Sequence, residues 1–168
     1  MGDMAPNIRR ATAADIPAVI ALLETVWHET YDGIYGVERV DEILSSWSQM
    51  WADEAISTRP NFCRLVAEDV DQQLVATSSA TRDEDGWLKL HQLYIQPQQQ
   101  GQGLGRRLLG VISAEFNNVV GVRLEVEPEN ANAIAFYTRN GFVRAGEIAD
   151  CGREGSGIRA LLFERHLI

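Results

Sequence analysis

The sequence predicts a single α/β domain, and three observations carry that expectation. Short apolar runs of strand type alternate with amphipathic helical patterns along the whole chain. One such run, residues 87–95, feeds a glycine loop, Gln100-Gly101-Gln102-Gly103-Leu104-Gly105-Arg106, that opens a helical pattern. At 168 residues, with 45% hydrophobic and 23% charged residues, the chain has the size and composition of one globular domain with a substantial core.

Ile8-Arg9-Arg10 reads as a short first strand. A helix begins between Thr12 and Pro17: Thr12 with Asp15 three residues on resembles a capping box, and Pro17 is tolerated only in a first turn. Ile16, Val19, Ile20, Leu23 and Val26 give it one apolar face. Tyr31-Asp32-Gly33-Ile34-Tyr35-Gly36 is expected to break it, and a second helix covers about 37–50, continuing weakly to Ile56. Trp47 and Trp51, at i and i+4, fit helix packing.

Strands are expected at 62–67 and 74–81, around a turn at 68–73. Asp83-Glu84-Asp85-Gly86 ends in Asp-Gly, a strong hairpin signal, and the long strand to Ile95 comes next. The helix after the glycine loop runs to about Phe116, and the next strand covers 122–127. The helix at 130–140 has an Asn130 N-cap and a Gly141 stop. Two last strands, 142–147 and 158–167, flank a Gly-rich loop at 150–157. The order is β-α-α-β-β-β-α-β-α-β-β, which by periodicity alone supports one α/β domain at 6–168, preceded by a flexible segment, 1–5.

Composition narrows the function classes. A net charge of −9 argues against a nucleic-acid binder and is compatible with a cationic substrate. No apolar run approaches the ~20 residues of a membrane helix, and the N-terminus lacks the basic-then-apolar pattern of a signal peptide. Cys63 and Cys151 are too few for a disulfide scaffold or a zinc site; Cys63 reads as a strand core residue, Cys151 as a loop thiol. The expectations are a cytoplasmic protein with no metal, no nucleic acid and no membrane.

Glycines let the loop adopt positive φ and approach a ligand closely. Unpaired N–H groups at a helix start, aided by the macrodipole, bind anions. These two properties point to a pyrophosphate-bearing cofactor. Gly101, Gly103 and the later Glu125 suggest a dinucleotide site, but position 106 is Arg where G-x-G-x-x-G needs glycine, and 96–100 separates strand from loop. A Walker loop is excluded because the glycines lead into no Gly-Lys-Ser/Thr. A turn that merely starts a helix is the plain alternative.

A second motif comes after the strand Val122-Arg-Leu-Glu-Val126: Asn130-Ala-Asn-Ala133-Ile-Ala-Phe136-Tyr137-Thr-Arg-Asn140-Gly141-Phe142. With it the chain resembles the GNAT superfamily of acyl-CoA N-acyltransferases. Gln100, Gly103 and Gly105 match that family's Gln/Arg-x-x-Gly-x-Gly/Ala loop, and Asn130, Ala133, Phe136, Tyr137, Gly141 and Phe142 match its next helix. The specific part covers about residues 90–142. The resemblance implies a mixed, mostly antiparallel sheet of about seven strands with helices on both faces. It implies acetyl-CoA as cosubstrate and an amine as acceptor, with a homodimer as one assembly state.

Acetyl transfer to an amine needs a neutral amine, a stabilised oxyanion and a protonated leaving thiolate. The resemblance puts Tyr137 near the CoA sulfur as general acid; the alternative is an apolar-face aromatic beside Ala133 and Phe136. His91 is the leading base candidate, since an imidazole accepts a proton near neutral pH; a half-exposed strand histidine is the alternative. Glu125 and Glu127 are rival bases that face away from Leu124 and Val126, or they are solvated. The resemblance also implies that Leu93, Tyr94 and Ile95 offer backbone groups to the pantetheine arm beside a splayed, bulged strand. Cofactor contacts are expected along the loop, from Gln100, Gly101, Gln102, Gly103, Leu104, Gly105 and Arg106, and from Asn130 and Phe136. Arg106 can pair with a phosphate or stay a solvated helix cation.

Trp27-His-Glu-Thr-Tyr31-Asp-Gly-Ile resembles a segment of one branch of small GNAT proteins, which nominates Trp27 and Tyr31 for the acceptor site. The main reading is a small-molecule N-acetyltransferase working by direct attack in a ternary complex. The alternatives are a protein or peptide N-acetyltransferase, a CoA-binding module without turnover, and a dinucleotide enzyme.

Overall fold

The computed structural model describes residues 4–55, 59–151 and 154–167, apart from the side chains at 49 and 51–55. Strand β1 (Asn7–Arg10) leads through a 3₁₀ turn at Ala13–Asp15 into helices α1 (Ile16–Tyr35) and α2 (Val37–Ala55). Strands β2 (Phe62–Glu68), β3 (Leu74–Arg82) and β4 (Trp87–Ile95) form a meander. A second 3₁₀ turn, Pro97–Gln99, precedes α3 (Leu104–Ala114), β5 (Gly121–Val126), α4 (Ala131–Arg139), β6 (Val143–Ile148) and β7 (Ala160–His166). The seven strands form one sheet in the order β1-β2-β3-β4-β5-β7-β6. Neighbours are antiparallel except β4 and β5, which are parallel because α3 carries the chain across between them. This is the mixed, mostly antiparallel sheet expected, with helices on both faces.

Alternation along the strands builds two cores. Cys63, Leu65 and Ala67 of β2 point one way, with Leu104, Leu108 and Ile112 of α3 and Tyr137 of α4. Val66 points the other way, toward Val19, Leu23 and Trp27 of α1 and Val40 and Trp47 of α2. The stripe of α1 is rotated from the expected one: Leu22 and Trp27 are buried, whereas Ile16 and Ile20 are only half-buried. The side chain of Trp51 and residue Ile56 lie outside the described residues, as do 1–3 of the expected flexible segment 1–5. Pro6 accepts a 3.1 Å hydrogen bond from Arg107 of α3.

The expected break at 31–36 is confined to its last residue. Helix α1 runs through Gly33 to Tyr35 and stops at Gly36, whose φ is +84°. Aromatic packing overrides the weak helix propensity of Gly33. Trp27 and Tyr31 have ring centroids 4.4 Å apart, and Tyr31 stacks on Tyr35 at 5.5 Å. Each is one turn from the last, so the helix is clamped on one side while Gly33 faces open space.

Two irregularities in β4 open the sheet at one point. Ser79 pairs with Gln92 and Ala80 with Leu90, so His91 is the extra residue of a β-bulge. On the other edge, β4 pairs with β5 only from Trp87↔Gly121 to Leu90↔Leu124. Beyond that point the two strands part, and β5 continues alone against β7 to Val126↔Leu161.

Candidate active site between the parted strands

The opening is bounded by the second half of β4, the end of β5, the glycine loop and the start of α4. Leu93, Tyr94 and Ile95 line its β4 side and are each half-buried. Their pairing with β3 leaves the opposite edge without a strand partner. The Ile95 carbonyl is taken, however: it accepts a 3.0 Å hydrogen bond from Gln100 Nε2. Gln102 Nε2 likewise donates to the Gln98 carbonyl at 2.9 Å. Both glutamines of the motif therefore shape the loop with their side chains.

The loop has the geometry of a ligand cradle. Gly101 and Gly103 have φ of +73° and +81°, and a Cβ built on either meets nothing within 4 Å. Gly103 is the N-cap of α3, so the first N–H groups of that helix point out unpaired by the helix itself. Open space, left-handed glycines and helix N–H groups together fit a pyrophosphate. Gly105 has a packing role. Its Cβ position points at Phe136, 2.9 Å from ring atoms, and at Ile95, so the missing side chain lets α4 pack close. Leu104 is core, and Phe136 is the ring that rests on Gly105. Arg106 lines a cleft between α3 and the end of α4 with Arg139, Asn140 and Arg165, a basic surface next to the loop.

Helix α4 begins at Asn130, whose Oδ1 accepts the Ala133 N–H at 3.1 Å. Its other end stops at Gly141, with φ of +86°. Tyr137 is buried, its ring edge-on to Phe136 and Phe142 at 5.2 and 5.4 Å. Burial, with the Glu127 carboxylate nearby, pushes its pKa up, so the phenol stays protonated at neutral pH.

The base candidates stand apart. His91, on the bulge, keeps an exposed edge and bonds Thr81 Oγ1 through Nε2 at 2.8 Å. Desolvation of its ring, with the Lys89 ammonium second, brings its pKa down to about 4. Glu125 pairs with Lys89 at 3.1 Å and is largely covered. Glu127 is 6% exposed and accepts the Tyr31 hydroxyl at 2.6 Å. Desolvation raises its pKa, and the Tyr31 hydrogen bond opposes that rise. The two glutamates do face away from Leu124 and Val126, but neither is simply solvated.

Trp27 and Tyr31 are core residues of α1, 1% and 3% exposed, rather than surface contacts. Trp27 Nε1 donates to Tyr94 Oη at 3.0 Å, and Tyr31 reaches Glu127. Both therefore border the opening from within. Cys151, read from the sequence as a loop thiol, is buried, with its Sγ 3.9 Å from Glu127 Oε1. Sequence reasoning missed Arg64, which donates to Gln92 and Thr77 across three strands at 2.8 and 3.2 Å. The signal for Arg64 was available: it alternates with Cys63 and Leu65 inside a strand. No group of three or more metal-ligating side chains occurs among the described residues. No described helix is long and apolar enough to cross a membrane.

Known proteins resemble this chain in sequence and fold. The acetyltransferase (GNAT) family model matches residues 21–142. An L-methionine sulfoximine/L-methionine sulfone acetyltransferase of Pseudomonas aeruginosa is 27% identical over 157 residues, 90% of this chain and 88% of that protein. An uncharacterised Mycobacterium leprae protein is 40% identical over 58 residues; the match spans 34% of this chain and only 16% of that protein's length. The crystal structure of PaiA N-acetyltransferase from Thermoplasma acidophilum with coenzyme A superposes with a TM-score of 0.81. That structure is 21% identical and covers 97% of this chain and 99% of its own.

Proposed function

The chain belongs to the GNAT acetyltransferase family, and from that premise we propose that it moves an acetyl group from acetyl-CoA to a primary amine of a small molecule. The transfer is direct, with both substrates bound in the opening between β4 and β5. The observation that supports this reading is that β4 and β5 part beyond Leu90↔Leu124, with the left-handed Gly101 and Gly103 after β4 and the buried carboxylate of Glu127 at the end of β5.

Acetyl-CoA supplies an acyl carbon open to attack and a thiol leaving group. The glycine loop and the first N–H groups of α3 hold its pyrophosphate, with Arg106 and Arg139 beside them. Tyr137 gives its proton to the departing sulfur and regains one from the acylated nitrogen. The N–C bond forms as the C–S bond breaks, so no covalent enzyme intermediate is required. The extra proton of the incoming ammonium must leave first, to His91 or to Glu127.

The relative named for methionine derivatives makes amino-acid-like amines the first acceptors to try. Thiol release from acetyl-CoA across a panel of amino acids, polyamines and peptides is the test. Release with a free amine and not with peptides supports the proposal; release with peptides alone replaces it with peptide acetylation, and cofactor binding without release with the CoA-binding module. The same reading puts one domain at 6–168 in the cytoplasm as a homodimer, which sedimentation would check.

A further inference from the structure

The Tyr31 hydroxyl of α1 bonds two groups of the segment that joins β5 to α4. It donates to Glu127 Oε2 at 2.6 Å and accepts from Asn130 Nδ2 at 3.1 Å. Asn130 has a second task at the same time, since its Oδ1 caps α4. One side chain of α1 is thereby tied both to the carboxylate at the end of β5 and to the first turn of α4, the helix that carries Tyr137. The contacts span 96 and 99 residues of sequence.

We propose that Tyr31 is a positioning residue for acetyl transfer: it holds the Glu127 carboxylate against the Asn130 cap, where that carboxylate takes the proton of the acceptor ammonium. This rests on the acetyltransferase reading. The step is a proton transfer alone. An ammonium N–H bond breaks, a Glu127 O–H bond forms, and the neutral amine keeps the electron pair with which it attacks.

The hydrogen bond has a definite sign. A phenol that donates to a carboxylate favours its charged form, against the burial that disfavours it. Of the hydrogen bonds to the Glu127 carboxylate, that of Tyr31 acts most strongly, ahead of the backbone N–H of Glu127 and the Cys151 thiol. Tyr35 of α1 and Tyr94 of β4 act on it only through space, and Tyr94 is engaged with Trp27. Tyr137 of α4 also acts only through space. Glu129, two residues along the chain, opposes ionisation, and the Cys151 thiol, donating to Oε1 at 3.9 Å, weakly favours it.

The test compares wild type, Tyr31→Phe and Glu127→Gln by two readouts. One is the titration of the Glu127 carboxyl carbon by NMR in 13C-glutamate-labelled protein, assigned by its loss in Glu127→Gln. The other is kcat/KM for two amines of different basicity against pH, which separates an enzyme limb from the acceptor's own titration. In Tyr31→Phe the carboxyl should titrate about one unit higher, and the rising limb should move with it. In Glu127→Gln the limb should vanish. Acetyl-CoA affinity should hold in Tyr31→Phe. An unmoved carboxyl titration, or a moved one with an unmoved limb, overturns the proposal. Absence of turnover with every amine overturns the transferase reading instead, and the carboxyl titration still tests the Tyr31 contact.

Discussion

Gly105 lies so close to Phe136 that a Cβ on the glycine would sit 2.9 Å from the ring. Helices α3 and α4 meet at this point, over Ile95 of β4. Gly105→Val should therefore act through packing and destabilise the fold by about 1–3 kcal/mol, the usual penalty of overpacking. Urea denaturation checks it; unchanged stability would mean that α4 can shift freely.

Gly103 makes the contrasting case, because nothing lies within 4 Å of its Cβ position. Its φ of +81° and its place at the cradle make substitution a binding defect. Gly103→Val should weaken acetyl-CoA at least tenfold, roughly 1.4 kcal/mol, by calorimetry. Full affinity in a folded variant would make the loop purely structural.

Tyr137→Phe keeps the buried ring and removes only the donor. Cofactor affinity should hold while kcat falls, by up to the ~10²–10⁴-fold typical of general acid catalysis. The measurement needs conditions in which chemistry limits the rate, shown by single-turnover kinetics. Wild-type turnover there would remove Tyr137 from the reaction.

His91 carries a pKa brought down to about 4, so its ring is neutral across the working range. Any limb it imposed on kcat/KM would lie below its ordinary 6.5. With Glu127 as the proton acceptor, His91→Ala should leave the neutral-range limb in place and change kcat/KM by less than about tenfold. Loss of that limb in the variant would return the role to the imidazole.

Asp15 accepts from Arg9 Nη1 at 2.7 Å and from the Thr12 N–H at 2.7 Å, joining β1 to the start of α1. Arg9 holds its pKa down, to about 2 from an ordinary 3.8. A depressed carboxyl stabilises the fold fully above the unfolded pKa. That stability is lost as pH falls from 3.8 through about 2. Asp15→Asn should lower stability by about 1–2 kcal/mol at pH 7 and flatten the acid limb of a thermal-melt series.

Much of the molecule is written in local pattern. The element order, the Thr12–Asp15 helix start, the Asn130 cap and the glycine loop are all legible from residues a few positions apart. Each depends on backbone groups that a neighbouring side chain satisfies or a missing Cβ frees. The two motifs around Gly103 and Tyr137 identify the family for the same reason.

What only the tertiary structure decided lies in contacts between distant segments. Tyr31 meets Glu127 across 96 residues and Trp27 meets Tyr94 across 67. No periodicity reveals that Glu127 is buried beside a phenol while Glu125, two residues earlier, pairs with Lys89. The same distance effect carries α1 through Gly33 and brings Phe136 against Gly105. A side chain's environment is set by whatever the fold brings against it. Here that neighbour comes from another layer of the sheet, where sequence spacing carries no signal.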